Sequence, residues 1–405
     1  MEQINQVLKK ANPKPIQKID FTNTEIAFSS KTNKELIKMK RLFALMNKPL
    51  LVKWGSKLGL LAFKLRLPFA KSIVKNTIFE HFCGGINLID CQSKIDTLYN
   101  NNSLTILDYG AEGKSSEEDL QNVVVQTIMA IEFAASNTFV PVVSTKVTGI
   151  ADNDLLIKIQ ANQTLNEKEE KEYKTLLNRF DKICSKASEL GVGVFVDAEE
   201  SWLQGTIDDL VMDMMIKYNK EKVIVYNTYQ LYRHSKLAEL KSDHEKLKKE
   251  GSLLGAKLVR GAYMDKERLR AIEMDYKSPI QLDKAATDID FDSAVTYCIT
   301  NHETIASCCA SHNVKSNMHQ AKLIHDKGLA KDNPNFNFCQ LYGMGDYITY
   351  NIGKAGYNVA KYLPYGPIRD VVPYLIRRAR ENSSVTGEMS RELALIKSEI
   401  KRRKI

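Results

Sequence analysis

The sequence predicts an α/β protein, a (β/α)₈ barrel of the TIM type preceded by an N-terminal helical arm. From about residue 103, short apolar runs rich in β-branched residues alternate with longer amphipathic segments, which is typical of parallel strands joined by helices. Eight such runs occur, the number that the barrel requires, while a doubly wound sheet is the alternative. The predicted strands are Leu104–Asp108, Val140–Lys146, Val192–Asp197, Val223–Tyr226, Ala256–Arg260, Ile305–Ala310, Phe336–Leu341 and Tyr357–Tyr362.

The chain divides into three predicted segments. Residues 1–100 form the helical arm, in which Lys34–Met46 and Leu58–Lys75 carry apolar residues at helical spacing. Residues 101–385 form the barrel. One of its predicted helices ends at Gly191, which acts as the C-cap. Residues 386–405 form an amphipathic helix with a basic end. We expect that helix to pack on the barrel with a frayed terminus, and a peripheral membrane contact is the alternative.

Composition limits the classes of protein. The chain has 405 residues and a net charge of +9, which permits anionic partners but specifies none, and we find no nucleic-acid-binding signature. Its seven cysteines include no C-x-x-C pair, so we expect a reducing compartment and no metal site. Residues 1–10 make a poor transit peptide, and Leu58–Phe69 is too short to span a bilayer. We therefore expect a cytoplasmic protein, peripheral at most at the inner face of the membrane.

Polar side chains cluster where the predicted strands end. The C-terminal ends of barrel strands meet at one face, where the chemistry of such barrels takes place. G-x-S-x-G, H-E-x-x-H and G-x-G-x-x-G motifs do not occur, which argues against a serine hydrolase elbow, a zinc protease and a Rossmann cofactor site. A rim of cations and hydrogen-bond donors suits a large anionic cofactor together with a small carboxylate. The rim residues are Asp108, Tyr109, Glu112, Lys146, Asp197, Glu199, Glu200, Asn227, Gln230, Arg260, Tyr263, Ser311, His312, Asn313, Leu341, Tyr342 and Tyr362.

The last predicted helix of the barrel carries two adjacent arginines. Pro367 suits its first turn, and Arg377, Arg378 and Glu381 share its polar face. Glu381 can pair with either arginine, so a solvated Arg/Glu face is one interpretation. Two guanidinium forks side by side can instead grip one carboxylate. Asp197 likewise has two interpretations, a helix cap or a carboxylate that orients a cation.

Six motifs, in order along the chain, give the sequence a family resemblance. They are Val196-Asp-Ala-Glu-Glu200, Asn227-Thr-Tyr-Gln230, Lys257-Leu-Val-Arg-Gly-Ala-Tyr263, Ser311-His-Asn313, Gln340-Leu-Tyr-Gly-Met-Gly345 and Tyr362-Leu-Pro-Tyr-Gly366 with the Arg377-Arg378-x-x-Glu381 helix. With these motifs the chain resembles the proline dehydrogenase (proline oxidase) family of flavoenzymes over about residues 105–385. Lys257 and Met264 stand where some bacterial members have Arg and Trp.

The resemblance implies a distorted barrel with FAD at its C-terminal face and the oxidation of L-proline to Δ1-pyrroline-5-carboxylate, the first step of proline catabolism. It implies a monofunctional enzyme, a membrane quinone as electron acceptor, and a separate pyrroline-5-carboxylate dehydrogenase for the product. By the same motifs, Lys146, Asp197, Tyr263, Leu341, Tyr362, Arg377 and Arg378 would line the proline site. Gln230, Lys257, Arg260, Ser311, His312 and Glu381 would hold the flavin, and Glu112 would be a gate acid that pairs with Arg377 when the site is empty.

Two other functions stay open from the sequence. One is a flavin barrel enzyme for another substrate, such as hydroxyproline or a folate. The bulky ring of Tyr362 argues against hydroxyproline because it leaves little room for a ring hydroxyl. The other is a non-catalytic basic barrel that binds anions or nucleic acid.

Overall fold

Eight parallel strands form the centre of the molecule. The computed structural model describes residues 19–48, 55, 59, 72–110, 116–384 and 388–405, without the side chains of 379–389. Within these residues each strand pairs with the next along the chain, and the last pairs with the first. The predicted barrel is therefore confirmed, and the doubly wound sheet is excluded because it would leave two open edges. The strands are β1 Leu104–Tyr109, β2 Val142–Thr145, β3 Gly193–Val196, β4 Val225–Gln230, β5 Leu254–Val259, β6 Ile305–Ala310, β7 Phe336–Leu341 and β8 Val359–Tyr365.

Strand β4 departs most from its predicted bounds. The apolar run suggests an end at Tyr226, but the strand continues to Gln230. The added residues are buried although two of them are amides. Asn227 Nδ2 donates to Asp208 (2.9 Å) and Thr228 Oγ1 donates to the Val196 carbonyl (2.7 Å), so burial leaves these groups satisfied. Polar strand residues with buried partners do not show in an apolar pattern.

Helices surround the barrel in the alternation that the sequence predicts. The helix Glu167–Leu190 ends at Gly191, whose φ of +71° supports the predicted C-cap. The helices are Thr24–Ala27, Asn33–Met46, Glu80–Phe82, Leu88–Asn100, Glu117–Ala135, Asn153–Gln160, Glu167–Leu190, Ser201–Tyr218, Lys236–Lys249, Met264–Glu273, Lys284–Thr300, Val314–Asp326, Asp346–Lys354, Ile368–Ser384 and Glu388–Arg402, with a π-turn at Lys75–Phe79 and a 3₁₀ turn at Val147–Gly149.

The barrel is distorted at its closure. In a regular barrel the helix after β8 would pack outside β8 and β1, but that place is taken by Leu88–Asn100, which precedes β1. The helix Ile368–Ser384 instead contacts the arm at Asn33–Met46 and Lys75–Phe79. Val371 in its first turn lies against Gly110, just beyond the C-terminal end of β1. This helix therefore begins at the end of the barrel where the strands finish.

The described part of the arm packs against the C-terminal helix. The predicted arm helix is present as Asn33–Met46, begun by a capping box between Thr32 and Glu35, while most of Leu58–Lys75 lies outside the described residues. The C-terminal helix packs on Asn33–Met46. Its basic end is held rather than frayed, because Arg403 pairs with the buried Glu399 and donates to the Lys31 and Phe28 carbonyls. Among the helices described here, none combines the length and apolarity needed to cross a bilayer.

Candidate active site

A largely buried carboxylate, that of Asp197, follows strand β3 at the end of the barrel. Asp197 Oδ1 lies 2.5 Å from Lys257 Nζ of β5, and Asp197 Oδ2 lies 3.0 Å from Lys146 Nζ, which follows β2. Tyr362 of β8 donates its hydroxyl to Asp197 Oδ2 (2.7 Å), and Ser144 of β2 donates to Oδ1 (3.1 Å). Residues of β2, β5 and β8 therefore converge on the carboxylate that follows β3, so Asp197 does more than cap a helix. We call Lys146, Asp197, Lys257 and Tyr362 the Asp197 cluster.

The protonation states of this cluster follow from its charges. Burial alone would raise the pKa of Asp197, but Lys257 and Lys146 with the hydrogen bonds hold that pKa well below its usual value. Burial, and then the nearby carboxylates of Asp108 and Asp197, raise the pKa of the Tyr362 phenol well above 10. Asp197 is therefore ionised at neutral pH, and Tyr362 is a protonated donor to it.

The cluster contains three residues of the predicted substrate set and one of the predicted flavin set, and it contacts Ser144, which the sequence did not single out. Lys257, expected at the flavin, also lies 4.6 Å from the ring centroid of Tyr362, expected at the substrate. The two predicted sets are thus in contact. Ser144 was missed, although strand alternation places it on the same face as Lys146, two residues on. It bonds both Asp197 and the Tyr362 hydroxyl, the latter at 3.1 Å.

A second group lies at the ends of β5 and β6. Arg260 uses all three guanidinium nitrogens: Nε donates to Asp288 (2.7 Å), and Nη1 and Nη2 donate to the hydroxyls of Ser311 (2.7 Å) and Ser316 (2.9 Å). Sequence reasoning missed Asp288 and Ser316 because both stand on helices, far along the chain from Arg260. The predicted contact residues Arg260 and Ser311 are therefore adjacent and held in fixed orientation.

Gln230, at the end of β4, is fully buried, and only one of the two polar atoms of its side-chain amide has a hydrogen-bond partner. Its Nε2 donates to the Glu199 carbonyl (3.0 Å), while its Oε1 has no hydrogen-bond partner among the residues described. An unpaired buried acceptor costs free energy unless a ligand supplies a donor. This atom therefore suits a ligand that carries a hydrogen-bond donor.

His312 joins the second group to the substrate residues. Its Nε2 accepts the Leu341 backbone N–H (3.2 Å), and Leu341 of β7 pairs with Tyr362 of β8. Burial, and then Lys361 and Arg378, lower the pKa of His312 to about 3, so the ring is neutral at physiological pH. Leu341 and His312 therefore lie side by side next to Tyr362.

The arginine pair is half-buried rather than fully solvated. Arg377 and Arg378 are both partly shielded, and the Arg378 guanidinium carbon lies 5.3 Å from the Tyr374 ring centroid. The charge of Arg378 contributes to the lowered pKa of His312. Tyr263 is buried under Lys266 at 5.6 Å. Glu112 and the Glu381 side chain lie outside the described residues, so their predicted contacts stay predictions.

The described side chains do not form a metal site or a disulfide. Within the described ranges, no group of three His, Cys, Asp or Glu residues is arranged to hold a metal ion. All seven cysteines are free and buried.

Several curated proteins are similar to a large part of the chain. It is 38% identical over 246 residues to proline dehydrogenase 1, mitochondrial, of Drosophila melanogaster, a match that covers 58% of this chain and 36% of the fly protein. It is 33% identical over 374 residues to proline dehydrogenase 1, mitochondrial, of Dictyostelium discoideum, covering 82% of this chain and 65% of that protein. The chain thus spans little more than a third of the fly relative's length.

These names overturn one expectation. The relatives are mitochondrial proteins, which contradicts the cytoplasmic location expected from the sequence. The expectation was wrong because it rested on the poor transit-peptide pattern of residues 1–10 and on cysteine usage. Neither reports the compartment directly, since cysteines stay reduced in more than one compartment.

The fold also has a solved counterpart. The crystal structure of proline utilization A from Bdellovibrio bacteriovorus, inactivated by N-propargylglycine, matches with a TM-score of 0.71 and 21% identity over 90% of this chain and 42% of that chain. At that identity the likeness supports the barrel alone. The family model described as proline dehydrogenase matches residues 91–391, which include every described residue of the Asp197 cluster and of the second group. The chain belongs to the proline dehydrogenase family.

Proposed function

We propose that the protein oxidises L-proline to Δ1-pyrroline-5-carboxylate with FAD as its cofactor, the first step of proline catabolism. The observation that carries the proposal is the Asp197 cluster, which brings together substrate and cofactor residues of the family motifs at the strand ends of a barrel. The family match covers this region.

The residues present fit a flavin. The unpaired Gln230 Oε1 is a buried acceptor, and a flavin ring carries an N–H donor. Arg260, Ser311 and His312 offer cationic and polar groups beside it, and Lys257 adds a buried positive charge. Together with Glu381, these residues would hold the group by a route that needs no Rossmann glycine motif. When bound, the flavin supplies the electron sink for hydride removal from carbon.

The remaining side chains bind and orient the substrate. Arg377 and Arg378 grip the proline carboxylate as two guanidinium forks, which fixes the ring against the cofactor. Tyr362, Tyr263 and Leu341 form apolar walls that exclude water. Glu112 pairs with Arg377 when no substrate is bound.

The Asp197 cluster keeps the floor of the pocket rigid and charged. Asp197 stays ionised, and it holds Lys146, Lys257 and the Tyr362 hydroxyl in one arrangement. The Tyr362 ring is therefore fixed by its own hydroxyl rather than free to rotate. A rigid wall is what a hydride transfer requires, because a small displacement of the reacting carbon lowers the rate steeply.

A membrane quinone would accept the electrons removed from proline, and a separate pyrroline-5-carboxylate dehydrogenase would take the product. Both assignments follow from the family. The net charge of +9 is compatible with approach to an anionic membrane surface but does not select the acceptor.

Dye reduction by flavin-supplemented protein tests the proposal. We expect proline-dependent reduction of an artificial acceptor and none with D-proline, since the clamp holds the carboxylate and the surrounding walls then accept the ring of only one enantiomer. Protein that binds FAD but reduces no dye with L-proline would contradict the substrate, and protein that binds no flavin would favour the non-catalytic barrel.

A further inference from the structure

The turn between β7 and the helix Asp346–Lys354 has an unusual number of constraints. It consists of Tyr342–Gly345, directly after Leu341. Gly343 and Gly345 have φ of +80° and +63°, a conformation that favours glycine. A Cβ at Gly343 would lie 2.5 Å from the His81 carbonyl oxygen, and one at Gly345 would lie 2.8 Å from His312 Nδ1. We call Tyr342–Gly345 the β7 turn.

Two segments far apart in the sequence hold this turn from outside the barrel. His81, in the arm, lies with Nε2 2.7 Å from the Gly343 carbonyl oxygen, so this nitrogen donates. Burial, and then the charge of Lys31, lower the pKa of His81 to about 4, so the donor is a neutral imidazole. Glu392, in the C-terminal helix and buried, accepts the Gly345 N–H at 3.0 Å.

On its inner side the turn is tied to the proposed pocket. Lys361, fully buried in β8, donates to the Met344 carbonyl and lies 3.4 Å from the Leu341 carbonyl oxygen. Asp346 balances its charge at 2.8 Å. Since His312 Nε2 accepts the Leu341 N–H, both backbone polar groups of Leu341 are engaged.

We propose that the β7 turn is a positioning element and that His81 and Glu392 are positioning residues for the proposed proline pocket. The proposal rests on the proposed function for what the pocket binds. A shift of the turn carries Leu341 and His312 with it, because the chain and the hydrogen bonds link all three. Both ends of the chain thereby act on the substrate wall from outside the pocket. Neither His81 nor Glu392 belongs to the proposed substrate or cofactor set.

The C-terminal helix offers a matched pair of variants for a test. Glu392 and Glu399 are both buried carboxylates on this helix, but Glu399 pairs with Arg402 and Arg403 and does not bond the β7 turn. Glu392→Ala and Glu399→Ala both remove a buried acceptor, so both should lower the melting temperature. Only Glu392→Ala releases the turn. Glu392→Gln keeps an acceptor oxygen and serves as the conservative rescue.

Hydrogen exchange and kinetics on the flavin-loaded proteins separate the roles. We expect Glu392→Ala to speed amide exchange in the peptide that covers 338–346 and to lower kcat/KM for proline about tenfold, mainly through KM, because a displaced wall weakens binding and alignment. Glu399→Ala should leave both within twofold of wild type, and Glu392→Gln should recover most of the loss. His81→Phe, which keeps the ring packed beside Phe43, tests the same turn from the arm.

The proposal would be overturned if Glu392→Ala and Glu399→Ala showed equal rates of amide hydrogen exchange in the β7 turn. It would also be overturned if both Glu392→Ala and His81→Phe kept the wild-type kcat/KM for proline. The two readouts also separate this inference from the proposed function. Wild-type protein that does not oxidise proline refutes the function, and the exchange comparison then still decides whether Glu392 and His81 hold Leu341 and the turn.

Discussion

Replacing Lys257 with methionine should destabilise the protein, with a penalty that depends on pH. The Lys257–Asp197 contact at 2.5 Å corresponds to an attraction of about 7 kcal/mol at an effective dielectric constant of roughly 20. Desolvation offsets part of it, and breaking a buried pair typically costs about 3–5 kcal/mol. Lys146 still pairs with Asp197 at 3.0 Å in the variant, so we expect the lower end, about 3 kcal/mol at pH 8.

The sign of the pH effect follows from the lowered pKa of Asp197. Its ion pairs stabilise the folded state above the unfolded pKa of about 3.9, and this stabilisation is lost as the pH falls through the lower folded pKa. In the Lys257→Met variant the folded pKa of Asp197 is higher, because one cation is gone. The difference in free energy of unfolding between variant and wild type should therefore be constant well above the variant's folded pKa, and shrink as the pH falls through that pKa towards the lower folded pKa of the wild type.

Guanidinium chloride unfolding at fixed excess FAD measures this difference at each pH. Lys217→Met is the control, since Lys217 pairs with Asp181 at the surface and the change should alter stability little at any pH. A Lys257→Met penalty below about 0.5 kcal/mol at pH 8, or one that grows as the pH falls, would refute the assigned ion pair.

Three further predictions concern the proposed pocket. Arg378→Lys keeps the charge but loses the planar fork of the guanidinium, so kcat/KM for proline should fall about tenfold to a hundredfold while the flavin content stays normal. Unchanged steady-state kinetics would remove the arginine pair from the site. Tyr362→Ser should shift the ratio of specificity constants from proline towards hydroxyproline by roughly 1–3 kcal/mol, and an unchanged ratio would count against the position of its ring. Arg260→Ala should lower the amount of flavin that stays bound on gel filtration. Retention equal to that of wild type would show that Arg260 only donates hydrogen bonds to Asp288 and the two serines and does not hold the flavin.

The fold could be predicted from the sequence because its signals are local. Apolar runs mark all eight strands, and Gly191 marks a helix end by its own backbone preference. The bounds fail at β4, where buried amides continue a strand that the apolar pattern ends. The position of the last barrel helix is not local either, because it depends on the arm that packs beside it.

The candidate site could be predicted only as a set of residue types at strand ends. The convergence of Lys146, Lys257 and Tyr362 on Asp197 is set by barrel closure, which brings together residues more than 160 positions apart. Ser144 reads as an ordinary strand residue, and His81 and Glu392 reach the β7 turn from opposite ends of the chain. The spacing of residues in a single sequence does not predict contacts between positions so far apart.

Anaerobic titration of the flavin-loaded protein with L-proline tests the central claim most directly. The account predicts that absorbance near about 450 nm bleaches in step with added proline, with one Δ1-pyrroline-5-carboxylate formed per flavin reduced. D-Proline and glycine should leave the spectrum unchanged. A flavin that stays oxidised in excess L-proline would contradict the account.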